Sequence, residues 1–223
     1  MKESLLSILP LVTTLIFLLP AAIIIIKKMW SNRFFMLFGI YGIMAAFINA
    51  LDLFPINWIF VERANIFYNM LDIPFVMFMM YTITRNEVVR KLIVMGVGLY
   101  IFLQLVFFFR EGMKYDALKI SMGYGLGIVL LSILYQLLVF FRSMSLKSSQ
   151  VPYIVVLCAL LFDYGSFIII YIFDYYVEGY NMNDNLLLYY ISSIVSMLIA
   201  SGGLLISKTK SHPAVPSLHA GMF

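Results

Sequence analysis

Seven separate apolar runs dominate this chain, and at ~1.5 Å of rise per residue a helical run of about twenty residues crosses a hydrocarbon core of roughly 30 Å. They cover residues 5–26, 34–53, 64–83, 92–109, 117–141, 152–176 and 186–206. Backbone placed in lipid must satisfy its own N–H and C=O groups, which leaves helices or a closed barrel. The runs lack the alternating pattern of barrel strands. The pattern therefore predicts an all-α integral membrane protein: a seven-transmembrane helix bundle over residues 1–207, then a mobile tail over 208–223. Composition agrees, with 63% hydrophobic and 12% charged residues and a mean hydropathy of +0.99, where soluble domains carry about 25% charged residues.

The first run follows Lys2 and contains Pro20-Ala21-Ala22, as a cleaved leader does. It continues through Ile26 to Lys27-Lys28, past the length of a leader's apolar core, and reads as a retained helix.

Basic residues near the ends of membrane helices mark the cytoplasmic side. Lys27, Lys28, Arg33, Arg85, Arg90, Lys91, Arg142, Lys147, Lys208 and Lys210, ten of the 15, fall at one end of the bundle with Glu87 as the single acid. The opposite end holds Glu3, Glu62, Glu111, Asp116, Glu178 and Asp184 with few bases. This predicts an external N-terminus, a cytoplasmic C-terminus and a multi-pass protein of the cell membrane. The net charge of +4 then reflects topology, and no basic aromatic patch points to nucleic acid.

The third run holds the letters NIFYNMLDIPF, residues 65–75. Asn65, Tyr68, Asn69 and Asp72 stand at i, i+3, i+4 and i+7, one helical face, and Pro74 follows as a kink-former. A carboxylate facing lipid at mid-depth costs several kcal/mol, so this face is expected to look into the bundle. Asp163, beside Tyr164 in LLFDYGSF, is a second acid at mid-run. Further polar positions point toward the same outer half: Asn49 and Asp52, then Gly96, Tyr100 and Gln104, then Tyr189, Ser192, Ser193 and Ser196. Lys119 is the one membrane-proximal base placed to offset an acid, and Gly123 and Gly127 follow it at the spacing of close helix packing.

Several classes fall away. Cys158 stands alone, which excludes an intrachain disulfide, and reads as a small packing residue. Both histidines, His212 and His219, lie in the tail, so no metal or haem cofactor is expected. The seven-helix layout with an external N-terminus is shared with rhodopsin-like proteins, but residues 186–206 offer no lysine for a Schiff base. The connections are too short for a kinase, cyclase or nucleotide-binding module.

What remains is a polar cavity in the outer half of the bundle, binding a small molecule or ion through Asp72, Asp163, Tyr68, Asn69, Asn49, Lys119, Tyr164, Gln104 and Ser192. The expected protein is sensor- or receptor-like, with the lipid bilayer as surroundings, a small molecule or cation as ligand and a separate signalling partner. A small proton-coupled secondary transporter is the alternative, and an intramembrane enzyme with paired carboxylates is a third class.

Overall fold

The computed structural model of the chain describes residues 2–112, 114–142, 149–177 and 182–206. Seven helices result: α1 (Lys2–Ile26), α2 (Arg33–Leu51), α3 (Trp58–Ile83), α4 (Glu87–Glu111), α5 (Tyr115–Arg142), α6 (Val151–Tyr176) and α7 (Met182–Ile206), with one 3-10 turn at Met29–Ser31. All seven are long and apolar enough to cross a membrane. The tail expected over 208–223 lies outside the described residues.

Helix starts fall earlier than the apolar runs, and asparagine side chains explain why. Asn32, Asn57 and Asn86 accept hydrogen bonds from the backbone N–H groups of Phe34 (3.0 Å), Ile59 (2.9 Å) and Val88 (2.9 Å). Such caps satisfy donors that the first turn leaves without partners, so a helix can begin ahead of the charged residues that bound its apolar run, Glu62 and Arg63 in α3 and Arg90 and Lys91 in α4. The largest gain is at α3, which starts at Trp58 instead of Ala64.

The helices form a ring: α1 packs on α2 and α7, α2 on α3, α3 on α5, α5 on α6, and α6 on α7. α4 stands outside this ring against α3 and α5. Close approach is needed at Gly42, where an added methyl would stand 2.5 Å from the carbonyl oxygen of Phe17 on α1. Of the glycines expected to mark close packing, Gly123 does meet the Tyr171 ring, but nothing stands within 4 Å of Gly127. Gly125 takes that role, with Tyr100 and Ile73 against it.

Chain ends meet as an alternating bundle requires. At the basic end Lys27 donates to the carbonyl oxygens of Leu204 (3.1 Å) and Leu205, tying α1 to α7. The interior at this end is mostly apolar: Phe34, Phe38, Val76, Met77, Met80, Val156, Leu157, Leu160, Met197, Ala200 and Leu204 are all buried. At the acidic end Asn185 donates to Asp174, joining α7 to α6. Cys158 is exposed on the outside of the bundle, contrary to the packing role expected for it.

Candidate functional site

Within the ring, helices whose backbones do not touch are joined by polar side chains. Tyr164 on α6 donates from its hydroxyl to Asp72 Oδ2 on α3 at 2.6 Å. Asn49 on α2 donates from Nδ2 to the Tyr189 hydroxyl on α7 at 3.1 Å. Neither the α3–α6 nor the α2–α7 pair makes a backbone contact, so these bonds span the middle of the ring.

Asp72 is 8% exposed and Asp163 fully buried. At ~1.5 Å per residue Asp72 stands about 21 Å from the Trp58 end of α3 and about 17 Å from the Ile83 end. Asp163 is about 18 Å and about 20 Å from the ends of α6 on the same scale. Each acid therefore stands near the middle of its helix, whereas the bounds of the apolar run set Asp72 nearer the start of its span. The capped first turns of α3 are the reason.

Each carboxylate keeps one oxygen outside hydrogen-bond geometry. Ser193 donates to Asp163 Oδ1 at 3.2 Å, while Asp163 Oδ2 and Asp72 Oδ1 are buried oxygens with no partner in bonding geometry; the Tyr68 hydroxyl interacts with Asp72 as a second donor beside Tyr164. A buried polar group left without a partner costs about 1–3 kcal/mol, and more when charged. The two acids interact electrostatically with each other. The phenols of Tyr41, Tyr68, Tyr164 and Tyr189 lie within electrostatic reach of both. Among the described residues these acids are the only buried charged side chains, and no lysine, arginine or histidine is buried with them.

The other expected site residues are distributed as follows. Tyr68, Asn49 and Tyr164 belong to this cluster. Gln104 donates to the Tyr100 hydroxyl at 2.7 Å, which donates in turn to the backbone carbonyl of Asn69 at 3.2 Å. This chain anchors α4 on α3 behind Asp72, so Asn69 takes part through its backbone. Ser192 donates to the Tyr189 carbonyl in its own helix at 3.0 Å; the serine facing an acid is its neighbour Ser193. Lys119 is not brought to the carboxylates. Its ammonium donates to the Tyr175 carbonyl at 3.1 Å and lies 4.4 Å from the centre of the Tyr176 ring, fastening α5 to the C-terminal end of α6.

Three participants were not among the expected site residues: Tyr41, Tyr189 and Ser193. Tyr189 stood out only as part of the polar face it shares with Ser192, Ser193 and Ser196. Tyr41 has apolar neighbours in sequence and nothing to single it out among 15 tyrosines. Ser193 was visible only as part of a serine-rich face, and one residue separates it from Ser192.

The α7 face carries Asn185, Tyr189, Ser193 and Ser196, each bonded to another helix: to Asp174, Asn49, Asp163 and the Ala159 carbonyl. The arrangement presents two carboxylate oxygens to a shell of hydroxyls and aromatic rings with no resident positive charge. Among the described residues no group of three or more His, Cys, Asp or Glu side chains gathers as a metal set. Comparison with known protein families, with curated proteins and with solved structures finds no match for this chain.

Proposed function

We propose that this chain is a sensor- or receptor-like multi-pass protein of the cell membrane, N-terminus outside, that binds a small cation or cationic small molecule between Asp72 and Asp163. One observation carries the reading. Two buried acids each keep a free oxygen, with no basic side chain buried beside them. An intramembrane acid used only for structure is expected to be tied off by donors, because every missing bond there costs stability. A cation, a bound proton included, supplies the absent charge. Tyrosine faces around carboxylates suit an amine, which draws on both ion pairing and the ring quadrupole. The signal then passes to a separate partner.

The test is a melting-temperature panel on purified protein with monovalent cations and small primary and quaternary amines. A binder raises the transition in a concentration-dependent way. Asp72→Asn and Asp163→Asn are expected to fold and to weaken that binding at least about tenfold, about 1.4 kcal/mol each. Retained binding in both variants rejects the reading.

A secondary transporter is favoured by one specific feature: Pro74 lies inside α3 two positions beyond Asp72 and removes a backbone donor next to the site. Flux decides. Liposomes holding the protein move the cation if it is a transporter, and only bind it if it is a sensor.

A further inference from the structure

Buried polar side chains occur in both halves of the interior, but aromatic rings run in series from the acids toward one end only. From the two acids toward the acidic end, an unbroken aromatic series connects α6 and α7: Tyr164 meets Phe167 edge-on at 5.6 Å, Phe167 stacks on Tyr189 at 5.8 Å, and Tyr189 meets Tyr190 at 5.2 Å. Asn49 bonds to Tyr189 at the same level. Tyr190 is within electrostatic reach of Asp52, an exposed acid that closes the C-terminal end of α2.

The other direction is closed. Tyr153 packs against Phe34, Phe35 and Phe140 with ring centres 5.3, 4.6 and 5.9 Å away. Asn32 donates to the Tyr153 hydroxyl, which joins the start of α2 to the start of α6. Between this aromatic block and the acids lie the buried Val76, Met77, Leu157, Leu160 and Ala200; the buried polar side chains of this half include Thr84 and Gln136, which bond to each other, Gln150 and Ser201, and none of them is bonded to either acid. Lys27, Lys28, Arg33, Arg85 and Arg90 stand around the same end and repel a cation.

We infer that a cation reaches the buried carboxylates from the acidic end alone, along a route that begins at Asp52 and passes Tyr190, Tyr189 and Asn49 before Asp163 and Asp72. This rests on the reading of Asp72 and Asp163 as a cation site, and adds to it a direction, a capture residue and a seal. Asp52 draws the cation from water. Ring faces and side-chain oxygens then replace its hydration in steps, which makes transfer into a low-dielectric interior passable for a single charge. An anion meets one acid at the mouth and two at the end.

Sided thiol labelling tests the route without knowledge of the natural ligand. In a Cys158→Ala background, which removes the one native cysteine, Ser193→Cys reports the deep end of the route, Asn49→Cys its middle and Ala200→Cys the sealed half. The probes are a membrane-impermeant trimethylammonium methanethiosulfonate and its sulfonate counterpart, applied to either side of oriented vesicles. The cationic reagent is expected to label Asn49→Cys and Ser193→Cys from the acidic end only, about tenfold or more faster than the anionic one, the range of electrostatic focusing in an acidic cleft. Asp52→Asn is expected to shrink that preference, and Ala200→Cys to stay unlabelled from both sides. Labelling of Ser193→Cys from the basic end, equal rates for the two reagents, or no labelling of either route position overturns the route. A melting shift by cations that still depends on Asp72 and Asp163 would then leave the site standing, so the two failures are distinguishable.

Discussion

Tyr164 is the side chain on which the site turns, because its hydroxyl satisfies one oxygen of Asp72 across the ring and its ring begins the aromatic series. Hydrogen bonds between membrane helices average about 0.6 kcal/mol, whereas bonds to charged groups in proteins reach about 1.5–3 kcal/mol. Tyr164→Phe keeps the ring and removes only the donor. It is expected to lower the unfolding free energy by about 1–2 kcal/mol in denaturant titrations of the detergent-solubilised protein, and to weaken cation binding. A loss below the membrane average would mean that the bond contributes nothing beyond packing. At this scale the sequence was legible where chemistry was conspicuous: an acid in an apolar run stands out, and Asp72, Asp163, Tyr68 and Tyr164, which the structure brings together, stood out for that reason. Ser193 was not separable from Ser192, because one residue of helical rotation decides which hydroxyl faces α6, and that rotation is set by packing.

Among the helices, α4 is joined to both α3 and α5 through Tyr100. Tyr100, held by Gln104 and the Asn69 carbonyl, lies against the Cα of Gly125 on α5. A methyl there would stand 2.7 Å from Tyr100 Cε2 and 3.1 Å from Ile73 Cγ1. Gly125→Ala is expected to cost about 1–3 kcal/mol as overpacking does, while Gly127→Ala, with nothing within 4 Å, leaves stability unchanged or raises it. Comparison of the two in one unfolding assay checks the pair, and equal effects would contradict the packing described. The C-terminal end of α2 gives a pH prediction. Partial burial raises the carboxyl of Asp52 above its ordinary range, so the native state favours its protonated form. Its stabilising contribution is present below the unfolded value and is lost as pH rises through the raised one. Asp52→Asn is expected to flatten the dependence of melting temperature on pH across the mildly acidic range. Helix existence was legible from apolar run length, and helix starts were not, because caps at Asn32, Asn57 and Asn86 start helices ahead of charged residues such as Glu62-Arg63 and Arg90-Lys91, at which an apolar run is cut short.

For the whole molecule, the basic residues of the odd-numbered connections predict an orientation, and the structure places the described ones at one end of the bundle. The order of the helices in the ring was not readable. In lipid the outer surface is as apolar as the core, so α4, standing outside the ring, carries the same kind of sequence as its neighbours within it. The expected orientation is checked by thiol labelling of single cysteines at Ser31 and Glu62 in intact cells: Glu62→Cys reacts with an impermeant reagent and Ser31→Cys does not, and the reverse pattern would invert the topology. The central claim, that Asp72 and Asp163 face an interior that water and cations reach, is tested most directly by carboxyl modification read by mass spectrometry. A water-soluble cationic carbodiimide with an amine nucleophile is predicted to modify both acids in the folded protein, and an excess of a bound cation to protect them. Modification by a lipid-soluble carbodiimide alone, or of neither acid, would contradict the account.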